Sequence, residues 1–432
     1  MTSCFYKEPE FDTLQLHAGH EPGRSMNARA VPIYASTSFC FDNTARLFGV
    51  NTGSNGFVYS RISNPTVDVC EKRIASLEGG MSAIATASGM SAQFVALLTL
   101  ASAGDNIVSS SFLYGGSQNQ LKVIFKKFGV QVRFVSTDIV EDYAALIDSK
   151  TKAIYTESIS NPTFLVAPIQ ELAELAHSHH LPLVVDNTLG MGGYLFRPID
   201  YGADIVVQSA TKWIGGHGTT IAGVLVDSGR FDWKAASHRF PGFNTPSEGF
   251  HNVIYADLGN DKAFTAKARS EMLRDMGPAL NPFAAFLLLQ GIETLSLRAE
   301  RHCENAMRLA KFLDAHPKVS WVSYLGLNSH PSHLRAKSLL RPGLFGGVLC
   351  FGVKGGAEAS KIFINNLRLA SHLANIGDTK TLVIQPAATT HIQSSDEEQL
   401  SIGVTGDLIR VSVGIEAISD IIADFEGALN NL

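Results

Sequence analysis

An aspartate and a lysine twenty-six positions apart are the first residues of this sequence with chemistry to offer. Asp186 ends the apolar run Leu183-Val184-Val185, and Lys212 lies in Gln208-Ser209-Ala210-Thr211-Lys212-Trp213, behind a second apolar run. A carboxylate just beyond a strand stands where open α/β sheets bind ligands. Read alone, it is more often an N-cap or turn residue. Ser209 and Thr211 beside a lysine could grip a phosphate next to an amine, although Ser and Thr are also common turn formers. The two segments together are more specific than either. Pyridoxal phosphate (PLP) needs an amine for its aldehyde, hydroxyls and amides for its phosphate, and a carboxylate for its ring nitrogen. Thr86-Ala87-Ser88-Gly89-Met90-Ser91-Ala92 adds a glycine turn opening a helix, whose free amides and dipole favour an anion. Tyr114 follows the run Asn106–Ser110 and can stack on a flat ring.

Other chemistries find no footing. A nicotinamide site needs G-x-G-x-x-G after a strand and a P-loop needs Gly-Lys-Ser/Thr, and neither spacing occurs. A nucleophile elbow fails at the last position of Gly89-Met90-Ser91-Ala92-Gln93. The five cysteines are scattered without a C-x-x-C pair, which suggests idle thiols in a reducing compartment. His177, His179 and His180 precede Leu181-Pro182 at a helix end, where solvated histidines are common, so no metal is assigned. His217, among glycines, is a weak candidate for shaping an active-site loop. A formal net charge of −5 with no basic face makes nucleic acid and anionic membranes poor partners. The acidic N-terminus has no apolar core and reads as neither signal nor transit peptide, so a soluble cytoplasmic protein is expected.

These residues need an α/β frame. At 432 residues, two domains are expected. The first sixty residues are rich in turn formers and read as an extended arm, and a helix from Thr66 through Leu77 should stop at Gly79-Gly80. The uncharged run Ala83–Ala103 carries too many polar residues for lipid and reads as a buried helix. Strands are expected at Asn106–Ser110, Val130–Ser136, Ala153–Ser158, Leu183–Asp186, Asp204–Gln208 and Ile221–Val226. Alternation with helix-length segments implies a mainly parallel sheet covered on both faces. Beyond residue 280 come a long helix over Ile292–Ala315 and strands at Val319–Tyr324, Gly347–Gly352, Thr381–Ile384 and Leu408–Val413. Helices near Ala357–Asn366 and Ser419–Leu429 complete a smaller α/β domain. The division expected is an arm over 1–65, a PLP-binding large domain over 66–280 and a C-terminal small domain over 281–432.

From about Leu16 onward the chain resembles the Cys/Met-metabolism PLP enzymes of fold type I, and within them the O-acetylhomoserine sulfhydrylases. The resemblance rests on LHAG at Leu16–Gly19, PIYASTSF at Pro32–Phe39, YSRISNPT at Tyr59–Thr66 and SATKWIGGHGTT at Ser209–Thr220. It continues through NPFAAFLLLQGIETLSLRAERH at Asn281–His302, LANIGDTKTLV at Leu373–Val383 and LIRVSVGIE at Leu408–Glu416. The insert between Phe39 and Tyr59 and the LANIGD stretch favour the sulfhydrylase branch.

The resemblance implies a role for each matched residue. Lys212 corresponds to the Schiff-base lysine and proton shuttle, Asp186 to the pyridinium partner and Tyr114 to the stacking phenol. Gly89, Met90, Ser209 and Thr211 correspond to phosphate ligands, and Tyr59 and Arg61 to phosphate ligands reaching in from a neighbouring subunit. Arg410 corresponds to the clamp on the substrate α-carboxylate, and Asn161 to a residue near the cofactor hydroxyl and that carboxylate. Read without the family, Tyr59 and Arg61 are equally loop residues, and Arg410 an ordinary ion-pair partner. A homodimer is then the catalytic unit, with a homotetramer as the expected assembly. The implied reaction is γ-substitution on O-acetyl-L-homoserine: acetate leaves Cγ and a nucleophile adds there, giving homocysteine from sulfide or methionine from methanethiol. A carbon or amine nucleophile, as in specialised metabolism, is the alternative, with a cystathionine-type lyase third. Leu189 and Met191 after DNT, Gln385 before Pro386-Ala387-Ala388, and Phe250 depart from the family pattern. Some of these departures are expected to line the substrate pocket and bear on the second substrate.

Overall fold

The computed structural model describes residues 7–40, 56–389 and 403–432. Seven short strands form the first sheet: β1 (Ser82–Thr86), β2 (Asn106–Ser110), β3 (Gln131–Val135), β4 (Thr151–Glu157), β5 (Leu183–Asp186), β6 (Ile205–Gln208) and β7 (Gly223–Asp227). Their order is β1-β7-β6-β5-β4-β2-β3. β2 pairs in parallel with β3 and β4, and β4, β5 and β6 continue in parallel, while β7 runs antiparallel to both β6 and β1. The sheet is therefore mainly parallel, with one reversed strand.

Both faces of this sheet are dry. Val184 and Val185, consecutive on β5, are each fully buried although their side chains point to opposite sides. Val185, Val206 and Val224 join one apolar cluster with Ile74 and Ala173, from the helices Pro65–Glu78 and Ile169–Ser178. Val184, Val207 and Leu225 join a second cluster, with Val95 and Leu97 of the helix Gly89–Leu100 and with Trp233 and Phe264. The first helix begins at Asn64, whose side chain accepts the Thr66 N–H, and ends at Gly79 with φ +77, where a left-handed residue closes the last turn.

One expected element is divided. The run Ala83–Ala103 is not one helix: it enters as β1 and, after Ala87-Ser88, continues as the helix Gly89–Leu100. Ile84 and Ala85 are buried as strand residues by pairing with Leu225 and Val224 of β7, a partner 140 positions away that local pattern cannot show. The long helix expected over Ile292–Ala315 is present as Leu295–Ala315, set off by Glu293 and Thr294 from a preceding helix, Pro282–Ile292.

The second sheet holds β8 (Val319–Ser323), β9 (Val348–Val353), β10 (Ser371–His372), β11 (Leu382–Ile384) and β12 (Leu408–Ser412), in the order β10-β11-β12-β9-β8. The helices Leu295–Ala315, Gly356–Asn366 and Ile418–Asn430 supply its buried face, with Leu309, Phe363 and Phe425 in one cluster with Phe351 and Ile409. Cys350 and Leu408, at the site end of this sheet, belong to the same core as Val185, so apolar packing runs from one sheet to the other. The start of the arm is not simply extended. A helix over Phe11–His17 lies on its own chain, with Phe11 edge-on to Tyr194 at 4.9 Å and the Gln15 side chain donating to Ser296 Oγ at 2.9 Å. Most of the insert between Phe39 and Tyr59 lies outside the described residues. No helix among the described residues is long and apolar enough to cross a membrane.

Candidate active site

The carboxyl ends of β1, β2, β4, β5 and β6 open on a cavity of about 300 Å³. Each of these strands hands the chain to a short turn that carries a candidate residue. After β1, Ser88 caps the 12-residue helix Gly89–Leu100, its hydroxyl accepting the Ser91 N–H at 3.1 Å. The amides of Gly89 and Met90 are left without a partner among the described residues, at the positive end of the helix dipole. Only a glycine fits there: a Cβ on Gly89 would lie 2.7 Å from that of Ser209. The turns after β1 and β6 thus close on each other.

After β5, Asp186 receives two hydrogen bonds on one oxygen, Oδ1: from the Thr188 amide at 2.9 Å and the Thr188 hydroxyl at 2.6 Å. Thr188 Oγ1 in turn accepts the Ser209 amide at 2.9 Å, which ties the β5 turn to the β6 turn. Asp186 Oδ2 has no partner, and no cation pairs with Asp186, among the described residues. Burial raises its carboxyl to about 6, opposed by the two Thr188 bonds. A neighbouring positive charge would bring it down again, so the carboxylate is suited to a cationic ligand atom.

Lys212 stands one turn beyond Ser209, its amide bonded to the Ser209 carbonyl at 3.2 Å. Its ammonium is brought down to about 8 by burial first and by the Arg410 guanidinium second. The amine is therefore close to losing its proton near neutral pH, as a nucleophile toward a carbonyl requires. Nζ donates to Asn375 Oδ1 at 2.6 Å. Arg410, on β12 and 8% exposed, extends one guanidinium nitrogen to Asn161 Oδ1 at 3.2 Å and the other to the Asn375 carbonyl at 3.4 Å. Among the described residues no carboxylate pairs with Arg410, and it lines the cavity.

The segment carrying Asn375 is fastened on both sides. The Gly377 amide donates to Ser412 Oγ at 2.9 Å, and a Cβ on Gly377 (φ +73) would come within 2.7 Å of the Trp213 nitrogen. Two residues on, the Thr379 amide donates to the Gly216 carbonyl at 2.9 Å.

Most residues singled out in the sequence meet here: Gly89, Met90, Tyr114, Asn161, Asp186, Ser209, Thr211, Lys212 and Arg410 all line the cavity. Thr211 is less free than its hydroxyl suggests, since Oγ1 donates to the Ala222 carbonyl at 3.1 Å and accepts the Ala222 amide at 3.0 Å. Tyr59 and Arg61 do not line their own chain's cavity. Arg61 lies over the Tyr59 ring at 5.4 Å and donates to the Arg274 carbonyl, with Tyr59 41% exposed. Of the departures from the family pattern, only Leu189 lines the cavity. Met191 is buried in the core, Gln385 donates to the Gly406 carbonyl at 2.7 Å, and Phe250 packs under Arg274. His177 is not a plain solvated histidine: Nε2 is 2.9 Å from Asp204 Oδ2, which raises its basicity. His217 Nδ1 lies 2.7 Å from the Gly215 carbonyl, within the loop after Lys212. Asn375 and Glu157 were not singled out in the sequence. LANIGD, read as a family stretch, did contain Asn375; nothing local marks Glu157 inside Tyr155-Thr156-Glu157-Ser158.

Comparison with known proteins agrees with this geometry. Residues 12–430 match the model of the family described as Cys/Met metabolism PLP-dependent enzyme. The chain is 59% identical to a homocysteine synthase of Schizosaccharomyces pombe, over 97% of this chain and 98% of that one. It is 52% identical to O-acetyl-L-homoserine sulfhydrylase 1 of Thermus thermophilus, over 97% and 99%. A crystal structure described as an O-acetylhomoserine (thiol)-lyase of Campylobacter jejuni superposes with a TM-score of 0.92 at 37% identity, covering 97% of this chain and 99% of that chain. That protein carries pyridoxyl phosphate on a lysine. The fold is accordingly that of the fold type I PLP enzymes. The residues of this chain fit the cofactor: the partnerless amides of Gly89 and Met90 suit its phosphate, the free Oδ2 of Asp186 its ring nitrogen, and the buried amine of Lys212 its aldehyde.

Proposed function

Because the chain belongs to the Cys/Met metabolism PLP-dependent enzyme family, we propose that it performs γ-substitution on O-acetyl-L-homoserine, exchanging acetate for sulfide to give homocysteine. The observation that carries this reading is the meeting of the Lys212 amine, the unpaired Asp186 oxygen and the Arg410 guanidinium in one cavity. Bound there, pyridoxal phosphate supplies an electron sink that acidifies the protons on Cα and Cβ of the amino acid. Arg410 receives the α-carboxylate, with Asn161 holding the guanidinium from the other side. The Lys212 amine would take the Cα proton, hand it on to the bound cofactor, and so be free again to take the Cβ proton, a role suited to an amine that burial and Arg410 bring down to about 8. Asp186 keeps the ring nitrogen positive, Tyr114 covers the ring, and Gly89, Met90, Ser209 and Thr211 hold the phosphate. Acetate leaves Cγ with the C–O bonding pair, and hydrosulfide forms the new C–S bond at the same carbon. Leu189 and Ile159 line the cavity with apolar surface, which suits a small, weakly hydrated sulfur nucleophile.

Tyr59 and Arg61 are exposed and lie outside the lining of their own cavity, available to a second copy of the chain as phosphate ligands in a homodimer that assembles further into a tetramer. The same reading takes residues 66–280 as the cofactor-binding domain, 281–432 as the domain that supplies Arg410 and 1–65 as the arm, and places the enzyme in the cytoplasm. Incubation with O-acetyl-L-homoserine and sulfide, followed by mass analysis, tests the reaction. Acetate and homocysteine should appear in equal amounts. Faster acetate release with a carbon or amine nucleophile than with sulfide would replace this reading.

A further inference from the structure

Glu157 ends β4 in register with Asp186 on the adjacent parallel strand, so the two carboxyls project from the same face into the cavity. It is 7% exposed, yet among the described residues it pairs with no cation. Its Oε1 accepts the Tyr114 amide at 2.6 Å, and the Asn161 main-chain amide lies close enough to favour its charged form. Those two residues each lie four positions beyond the ends of β2 and β4, and Asn161 is the side chain against Arg410. We infer that Glu157 is a positioning residue, whose carboxyl fixes the main chain at Tyr114 and Asn161 and thereby sets both the ring-covering phenol and the carboxylate clamp.

The charge on Glu157 follows from its surroundings. Burial is the largest influence raising its pKa, and Asp186 beside it raises it further. Asp186 has a hydroxyl and an amide donating to one oxygen and sits lower, at about 6. Two neighbouring carboxyls without a cation do not both ionise readily, so the proton stays on Glu157. A neutral Glu157 can still accept two amides through its carbonyl oxygen. It also leaves Asp186 as the single negative charge next to the cofactor nitrogen, undiluted by a second anion. What the site needs from Glu157 is therefore an acceptor of the right length, not a charge.

This inference rests on the cofactor reading but not on the identity of the substrate, and its test separates the two. Glu157→Ala should weaken PLP binding by about tenfold, through Tyr114, and raise KM for the amino acid by about tenfold, through Asn161 and Arg410, the sizes expected for lost buried hydrogen bonds. Glu157→Gln retains the acceptor and the length, and should recover both quantities to within about threefold of the wild type. Infrared difference spectra of the apoprotein at pH 7 supply a readout independent of turnover. One protonated-carboxyl component of the wild-type spectrum should be lost in Glu157→Gln, while those of Glu78 and Asp227 stay and cancel in the difference. A Gln variant as impaired as the Ala variant, or no such band lost, would overturn the inference. If the Ala variant does not fold, the Gln variant and the infrared band still decide. A different preferred substrate would leave the PLP-affinity and infrared outcomes unchanged.

Discussion

The ends of β5 and β6 present two buried carboxyls on opposite faces of one sheet, and their surroundings differ in kind. On the cavity face, Asp186 has one oxygen filled by Thr188 and the other without a partner. On the back face, Glu78, fully buried at the end of its helix, receives the Asn187 amide on both oxygens at 3.2 Å and the Gln208 amide as well. Asn187 and Gln208 are the next-door residues of Asp186 and Ser209, so the two faces are built from the same two turns. Asn187 is itself saturated, donating to the Phe196 carbonyl at 2.8 Å and accepting from Ser158 Oγ at 2.8 Å. A carboxyl whose hydrogen-bonding capacity is met within the chain holds structure; one left half-met beside a cavity awaits a ligand.

The comparison can be broken first at the cavity face. Lys212→Ala should lower turnover by about 10⁴-fold or more, since one amine serves as anchor and base. Borohydride reduction of the wild type with PLP should label the peptide containing Lys212. Next, Asp186→Ala should reduce kcat by about a thousandfold, the loss of a term worth several kcal/mol. Because its filled oxygen holds only Thr188, which keeps its own bond to the Ser209 amide, and its other oxygen supports nothing in the fold, the apoprotein Tm should stay within a few degrees. A large Tm loss in Asp186→Ala would put the residue in the same class as Glu78.

The back face should give the reverse result. Glu78→Ala strands the Asn187 and Gln208 amides in the core, at about 1–3 kcal/mol for each unsatisfied group. Thermal unfolding of the apoprotein should register this as a clear fall in Tm. Activity measured well below that temperature should drop by about tenfold at most, because Glu78 reaches the site only through the two turns.

The smallest effect concerns pH. Burial raises the Glu78 carboxyl from 4.5 to about 8, and the hydrogen bonds from Asn187 and Gln208 pull it only partly back. A carboxyl whose folded pKa exceeds its unfolded one contributes stability that is complete below about 4.5 and is lost as pH rises through the folded value. Asp186 and Asp227 follow the same sign, at about 6 and about 7. Apoprotein Tm should therefore decline from pH 5 to pH 8, and Glu78→Gln should make the last part of that decline shallower. A slope unchanged by the substitution would mean that Glu78 is ionised in the folded protein.

The cavity face was legible in the sequence, and the back face was not. Asp186, Ser209, Thr211 and Lys212 were found because a parallel sheet collects its ligands at strand ends, and apolar runs mark where strands end. Their Gly89 partner was found from a glycine opening a helix. Glu78 and Glu157 are as buried, but what defines them is register across strands and a helix laid on a sheet. No local pattern carries that information. The strand β1 was hidden for the same reason, its pairing partner β7 lying far along the chain. Arg410, which reaches the cavity from the second sheet, and its partner Asn161 were named through family resemblance alone. Asn375 was passed over even so, since an asparagine in an irregular segment has no signature until its lysine is placed opposite.

The fastening of Gly377 between Trp213 and Ser412, with Thr379 bonded to Gly216, has a consequence for redesign. Stretches 212–216, 375–379 and 410–412 are distant in sequence but interlock like the pieces of a single cassette. Recombination between relatives that cuts among them would pair a lysine loop from one parent with a covering loop shaped for another. Crossovers that transplant all three together keep the seam intact, whereas exchange of 375–379 alone asks a foreign loop to meet an indole ring where only a glycine passes.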